Sequence, residues 1–219
     1  MPLVIFDCDG VLVDTEPIAA RVGAQVLTGL GWELEPHEVM DRFLGCSDEH
    51  FRAEVEARLG DSLPPDWEEA FGPLTDEAFA TELKPVPGVV DVLDALTDHG
   101  VPVCVASNGS HAKMRRTLGL TGLDGRFDGR RFSAADVARG KPAPDVYLHA
   151  AAVMGAARAD CVVVEDSPRG VQAARAAGMA CLAYAGRTPA ARLEAPGVTV
   201  CPSMSEVLAA LRRTLAVRR

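Results

Sequence analysis

Apolar residues recur along this chain in two rhythms. Leu3-Val4-Ile5-Phe6, Val101-Pro102-Val103-Cys104-Val105-Ala106 and Cys161-Val162-Val163-Val164 are short unbroken runs rich in β-branched side chains. Such runs are the mark of strands buried on both faces. Further strands are expected over Phe127 to Phe132, Ala180 to Tyr184 and Val198 to Cys201. Between them the apolar positions take a helical spacing. Helices are predicted from Val89 to His99, from His111 to Leu118 with Gly119 as a stop, and from Ala143 or Pro144 to Met154. Two more run from Val171 to Ala177, closed by Gly178, and from Ser205 to Val217. Strands alternating with helices after Pro85 predict a parallel sheet with right-handed crossovers.

The stretch from Thr15 to about Leu83 has a different character, helical with no strand. Ile18, Val22, Val26 and Leu30 recur at a four-residue spacing before Gly31. Further helices are expected from His37 to Leu44 and from Ser47 to Leu59, with Ser47 as N-cap. After Pro64-Pro65, two short helices are expected, Asp66 to Phe71 and Thr75 to Glu82, the second signalled by Thr75 before Asp76-Glu77. Lys84-Pro85-Val86-Pro87-Gly88 reads as a stiff return linker, because each proline disfavours helix before it. The organisation this implies is an α/β core formed by residues 1–14 and 85–219, with a small all-helical domain, 15–84, inserted after the first strand.

Composition narrows the partners. The 219 residues carry a formal net charge of −9. An acidic chain argues against nucleic acid or an anionic membrane as a general partner, while one local cationic pocket would suffice for a small anionic substrate. No apolar run approaches the roughly 20 residues of a membrane span, and no export signal opens the sequence. Cys8, Cys46, Cys104, Cys161, Cys181 and Cys201 show no Cys-x-x-Cys spacing and mostly lie in apolar runs. They read as small buried hydrophobes of a reducing compartment, so a cytoplasmic protein is expected. No long exposed apolar face stands out, and a monomer is expected. Of the 22 basic residues only Lys84, Lys113 and Lys141 are lysines, so each lysine calls for a reason.

The chemistry gathers where strands end. Asp7-Cys8-Asp9-Gly10 follows the first strand. If strand geometry persisted through Asp9, both carboxylates would point to one side, roughly 6.5 Å apart. Like charges held so close need a cation, a neighbouring lysine or arginine, or a retained proton. Ser107-Asn108 ends the second buried strand and Glu165-Asp166 the third, with Lys141-Pro142 between them in sequence. In open parallel sheets ligands bind beyond the carboxyl ends of the strands, near the point where strand order reverses. A hydroxyl, one lysine and three or four carboxylates would meet on that edge. The excess of negative charge asks for a divalent cation, and oxygen ligands select a hard ion such as Mg²⁺. Such a set describes a phosphoryl-handling site.

Asp7-Cys8-Asp9-Gly10-Val11-Leu12-Val13-Asp14-Thr15, Ser107-Asn108, Lys141-Pro142 and Glu165-Asp166-Ser167 resemble, in order, the four motifs of the haloacid dehalogenase superfamily of phosphohydrolases. The helical insertion resembles that of the β-phosphoglucomutase-like and phosphoglycolate-phosphatase-like subgroup. The resemblance implies a Rossmann-like core with a helical cap. It implies Asp7 as nucleophile and Asp9 as general acid and then base, which requires Asp9 to hold a proton more tightly than Asp7. It also implies Mg²⁺ held by Asp7, the backbone carbonyl of Asp9 and Asp166, with Glu165 ligating directly or through water. Ser107 and the N–H of Asn108 would hold phosphoryl oxygens, and Lys141 would neutralise Asp7 and the transferring group. The implied activity is hydrolysis of a small phosphomonoester, a sugar phosphate or related metabolite.

Other readings stand beside these. Ser107-Asn108 could cap the helix near His111, a role compatible with phosphate binding. Asp14 would shape the turn leaving the site. Asp145 would complement a helix dipole and either orient Lys141 or solvate the rim. The five histidines read as non-catalytic. A lid would offer Arg42, the Leu44-Gly45-Cys46-Ser47 turn and Lys84. A phosphomutase of the β-phosphoglucomutase type would carry a histidine and an arginine where Ala19 and Asp48 stand. A dehalogenase would lack Asp9, and a phosphonate hydrolase would have only Lys84 for a Schiff base. A binding protein on the same scaffold would have no use for the intact acidic set.

Overall fold

The computed structural model describes residues 2–43, 48–63 and 67–216, with the side chains of 48, 49, 67–71 and 216 left aside. The chain divides into two compact units, Met1–Val13 with Pro85–Arg219, and Asp14–Lys84.

The first unit is built on a six-stranded parallel sheet in the order β3-β2-β1-β4-β5-β6. The strands are β1 (Leu3–Phe6), β2 (Val103–Ser107), β3 (Arg131–Ser133), β4 (Cys161–Glu165), β5 (Ala180–Tyr184) and β6 (Val198–Cys201). Every residue of β1, β2 and β4 is buried, as their unbroken apolar runs require. Strand order reverses beside β1. Phe6 stands level with Val105 on β2 and Val164 on β4, so the next residues outward on β1 and β4 are Asp7 and Glu165.

Helices cover the sheet. Those in this unit are α5 (Val89–Asp98), α6 (His111–Leu120), α7 (Asp145–Val153), α8 (Pro168–Ala176), α9 (Ala190–Leu193) and α10 (Met204–Ala216). On one face Ile5, Cys104 and Val163 pack with Tyr147 of α7 and Val171 of α8. Full burial of side chains of this size contributes about 1.5–3 kcal/mol each. Elsewhere α10 packs on α5 and against β5 and β6.

The second unit comprises α1 (Glu16–Gly29), α2 (Pro36–Phe43), α3 (Asp48–Leu59) and α4 (Trp67–Glu82). Leu27, Trp32, Val39, Phe43 and Val55 form its core, with the rings of Trp32 and Phe43 edge-on at 6.1 Å.

Three expectations require correction. Helix is continuous from Trp67 to Glu82 through Pro73. The proline forfeits one backbone hydrogen bond, and Gly72 before it adds a second weak point, but Glu68, Glu69 and Ala70 on one side and Glu77, Ala78 and Ala80 on the other favour helix and carry it past that gap. The strand expected over Phe127 to Phe132 is instead a 3₁₀ turn, Asp124–Phe127, and then the three-residue edge strand β3. Gly119 does not stop α6; the reversal falls at Gly122, where φ is +73°. The Leu44-Gly45-Cys46-Ser47 turn, the Ser47 cap and the Pro64-Pro65-Asp66 start lie outside the described residues. Among the described residues no helix is long and apolar enough to cross a membrane.

Candidate active site

Strand geometry does not persist through Asp9. β1 ends at Phe6, the Asp7 N–H donates to the Val164 carbonyl at 2.9 Å, and the chain turns at once. The N–H groups of Leu12 and Val13 both donate to the Cys8 carbonyl, at 2.9 and 3.1 Å. Gly10 adopts φ +75°, where a β-carbon is disfavoured and would overlap the Asp166 carboxylate. The turn therefore separates the two aspartates into different environments, and each receives its own lysine.

Asp7 meets Lys141. The Lys141 ammonium donates to Asp7 Oδ1 at 2.6 Å and to Glu165 Oε1 at 2.7 Å. Lys141 is 4% exposed and Glu165 fully buried. Glu165 is saturated: Oε1 also accepts from the Tyr147 hydroxyl at 3.1 Å, and Oε2 accepts from the N–H and hydroxyl of Ser167 at 2.7 and 3.0 Å. Burial pushes the Asp7 carboxyl up to about 7, against the opposing pull of Lys141 and with a further push from Glu165, so the upward shift falls on the residue expected to attack as a carboxylate, against the order the resemblance implies. Burial works against the Lys141 charge, but Asp7 and Glu165 outweigh it and hold the ammonium above its ordinary range.

The lysine is fixed through its backbone as well. The Lys141 N–H donates to Asn108 Oδ1 at 2.8 Å, and Asn108 Nδ2 donates to the Lys141 carbonyl at 3.1 Å. Arg169 Nη2 donates to that same carbonyl at 2.9 Å. A β-carbon at Gly140 would stand 2.7 Å from Asn108 Oδ1, so glycine there admits the clamp. The Asn108 amide as clasp of the lysine loop is a feature that reading Asn108 as an N–H donor alone misses.

Ser107 closes β2, buried, its Oγ accepting from the Gly109 N–H at 3.0 Å. The cap of α6 is Ser110, whose Oγ accepts from the Lys113 N–H, so Ser107-Asn108 is not the cap. Lys113, in the first turn of α6, reaches back so that its ammonium donates to Asp9 Oδ2 at 2.8 Å. Asp9 Oδ1 is buried with no hydrogen-bond partner. Asp145 does not orient Lys141; its carboxylate accepts from Arg139 at 3.0 and 3.2 Å. His111 pairs with Asp136 at 2.9 Å. Arg42, in the helical unit, donates to Glu54 at 3.0 Å.

Carboxylate oxygens of Asp7, Glu165 and Asp166 lie within 4.8 Å of one another. Three buried carboxylates gathered this closely repel one another, and an all-oxygen donor set suits a hard divalent cation. The donor chemistry therefore fits a metal. The saturation of both Glu165 oxygens leaves Asp7 and Asp166 as the side chains better placed to take it.

The sequence profile of the haloacid dehalogenase-like hydrolases matches residues 1–178, and the chain belongs to that family. It is 34% identical over 177 residues to a 6-phosphogluconate phosphatase of Escherichia coli (strain K12), covering 80% of this chain and 79% of that protein. It is 36% identical over 182 residues to hexitol phosphatase A of the same strain, covering 80% and 78%. Among solved structures, a conserved haloacid dehalogenase-like protein of unknown function from Agrobacterium tumefaciens str. C58 matches at TM-score 0.88 and 35% identity, over 98% of this chain and 99% of that one. A family hydrolase from Deinococcus radiodurans R1, with bound phosphate and sodium, matches at TM-score 0.81 and 32% identity, over 98% and 96%.

Proposed function

We propose that this protein is a Mg²⁺-dependent phosphatase that hydrolyses a small phosphomonoester, a sugar phosphate or related metabolite, through an aspartyl-phosphate on Asp7. The observation that carries the reading is the Lys141 ammonium shared between Asp7 and Glu165 inside a buried cluster of three carboxylates. The names of the Escherichia coli relatives, both phosphatases of phosphorylated sugar derivatives, support the substrate class.

Asp7, the backbone carbonyl of Asp9 and Asp166 would hold the Mg²⁺, and Glu165 acts through Lys141. The ion would supply Lewis-acid polarisation of the phosphoryl oxygens and neutralise charge beside Asp7. The Asp7 carboxylate attacks phosphorus in line. The ester oxygen leaves as phosphorus bonds to Asp7, and it takes a proton from Asp9. Asp9 then accepts a proton from water, whose oxygen bonds phosphorus as the bond to Asp7 breaks, releasing inorganic phosphate. Lys141 holds the nucleophile and offsets charge on the transferring group. Ser107 and the N–H of Asn108 take the remaining oxygens. Because the donors are fixed beforehand, little reorganisation is needed as charge moves.

The helical unit is read as a cap. The chain leaves the core at Val13 and returns at Pro85, and these two residues bridge each other, which supports an insertion on adjacent connections. Five buried free thiols support a reducing, cytoplasmic setting, and the acting species is taken as a monomer.

The test is phosphate release from a panel of phosphomonoesters, with and without Mg²⁺, for wild type and Asp9→Asn. Mg²⁺-dependent release that collapses in Asp9→Asn is expected, and its rank order names the substrate. Phosphate moving between positions of one sugar without release would replace the reading by a mutase. Silence on both would leave a binding protein.

A further inference from the structure

The ion pair between Lys113 and Asp9 has no part in the mechanism above, yet it occupies the residue assigned the proton transfers. We propose that Lys113 is a positioning residue: it holds Asp9 Oδ2 so that Oδ1, the buried and unpartnered oxygen, is the one presented to the leaving group. The inference rests on the phosphatase reading and assigns a task to each oxygen of Asp9.

Four observations carry it. First, the two oxygens differ. Oδ2 accepts from the Lys113 ammonium at 2.8 Å, whereas Oδ1 is buried without a partner. A buried polar oxygen left unmatched in a folded protein asks what it is kept for. Second, the lysine stands where a lysine is disfavoured. It lies in the first turn of α6, which contains no acidic residue, and a cation there opposes the positive end of the helix dipole. The contact with Asp9 offsets that cost, and the pairing spans 104 positions of sequence, so α6 itself does not need it.

Third, the lysine stem and the Asp9 carboxylate lie against the turn after β2. A β-carbon on Gly109 would stand 3.4 Å from Lys113 Cδ and 3.8 Å from Asp9 Oδ2, in van der Waals contact with both, so that turn packs alongside the pair. Fourth, the origin of the reach is fixed. The Lys113 N–H is held by Ser110 Oγ at 3.2 Å, and its carbonyl by the Thr117 hydroxyl at 3.1 Å. The Lys113 side chain is 46% exposed, so the residue adds little to the core and its replacement leaves the fold intact.

The test compares kcat/KM for wild type, Lys113→Met and Lys113→Arg on two esters: p-nitrophenyl phosphate, whose leaving group needs no proton, and the best alkyl phosphate of the panel. Lys113→Met is expected to lower kcat/KM on the alkyl ester by about 10–100-fold, a fraction of what a general acid contributes. The loss on p-nitrophenyl phosphate is expected to stay within about threefold, because kcat/KM reports the phosphoryl transfer to Asp7 and that step needs no proton for this leaving group. Lys113→Arg restores most of the alkyl activity. In an Asp9→Asn background, Lys113→Met adds no further loss, since the two act as one unit.

Equal losses on both esters would overturn the inference. So would a loss confined to substrates bearing a second anion, which would make Lys113 a substrate contact. Full additivity with Asp9→Asn, or an unchanged Lys113→Met in an active enzyme, would overturn it alone. An inert wild type would remove the phosphatase reading and this inference together.

Discussion

Lys141→Met isolates the electrostatics of the cluster from its chemistry. Methionine keeps most of the stem's volume and its contacts, so the substitution chiefly deletes a charge. That charge sits 2.6 Å from Asp7 and 2.7 Å from Glu165. Without it, two carboxylates would face each other across no more than 4.8 Å, a repulsion of about 3.5 kcal/mol at an effective dielectric near 20 if both stayed charged, which Asp7 relieves in part by keeping its proton. Breaking a buried pair by removing one partner typically costs about 3–5 kcal/mol, and we expect a loss of that size near pH 8 in EDTA.

The pH dependence fixes the sign. Burial already lifts folded Asp7 to about 7 from an ordinary 3.8, and removing Lys141 lifts it further. For an acid whose folded pKa is raised, the protonated form is the comfortable one, and stability falls as pH rises through the folded value. Near pH 5.5 Asp7 is protonated in both proteins and only the Lys141–Glu165 pair is lost. As pH rises through 7 the wild type gains its Asp7–Lys141 attraction and the variant does not. Urea unfolding at the two pH values should therefore show a smaller destabilisation in acid. Mg²⁺ should stabilise the variant more than the wild type, because the cation can stand in for the missing ammonium. A loss below about 1 kcal/mol at pH 8, or equal losses at both pH values, would refute the reasoning.

Two further outcomes follow from the same geometry. Gly170→Ala lies in the first turn of α8, where alanine should favour the helix by about 1 kcal/mol, yet its β-carbon would overlap the Glu165 carboxylate. We expect a net destabilisation of roughly 1–3 kcal/mol by urea unfolding, with reduced turnover, and a stabilised protein would show that Glu165 can move freely. Mg²⁺ binding should weaken by about tenfold per pH unit below 7, because the cation must displace the proton that burial holds on Asp7; calorimetry giving a pH-independent affinity from acid to pH 8 would contradict this.

Residues that terminate a buried strand were legible, because burial and position follow from the apolar run that precedes them. Asp7, Ser107 and Glu165 stand at such ends, and parallel register alone sets Asp7 beside Glu165. Lys141 was legible through its rarity among 22 basic residues. The partners of those residues were not, since they depend on turns and helices whose rotation no periodicity fixes. Asp7 and Asp9 alternate as if on one strand, but the chain turns after Phe6 and parts them. Lys113 carries the same mark of rarity, but nothing in the sequence of its helix says that it faces another motif. Asn108 looked like a donor through its backbone, while its side chain clasps the Lys141 loop.

The arrangement of charge explains why the missed residues matter. A buried carboxylate can be held by a lysine or by a cation, and in the proposed reaction Asp7 would exchange between them. Lys141 reaches Asp7 only because Glu165 fixes its ammonium and Asn108 with Arg169 fixes its backbone. Glu165 in turn spends all of its acceptor capacity on Lys141, Tyr147 and Ser167. Its neutral substitute, Glu165→Gln, would turn an amide N–H₂ toward one of two donor pairs, so no rotamer satisfies the site. The two lysines thus divide by burial: Lys141, sealed in, sets the charge around Asp7, and Lys113, half exposed on α6, holds one oxygen of Asp9 and leaves the other without a hydrogen-bond partner.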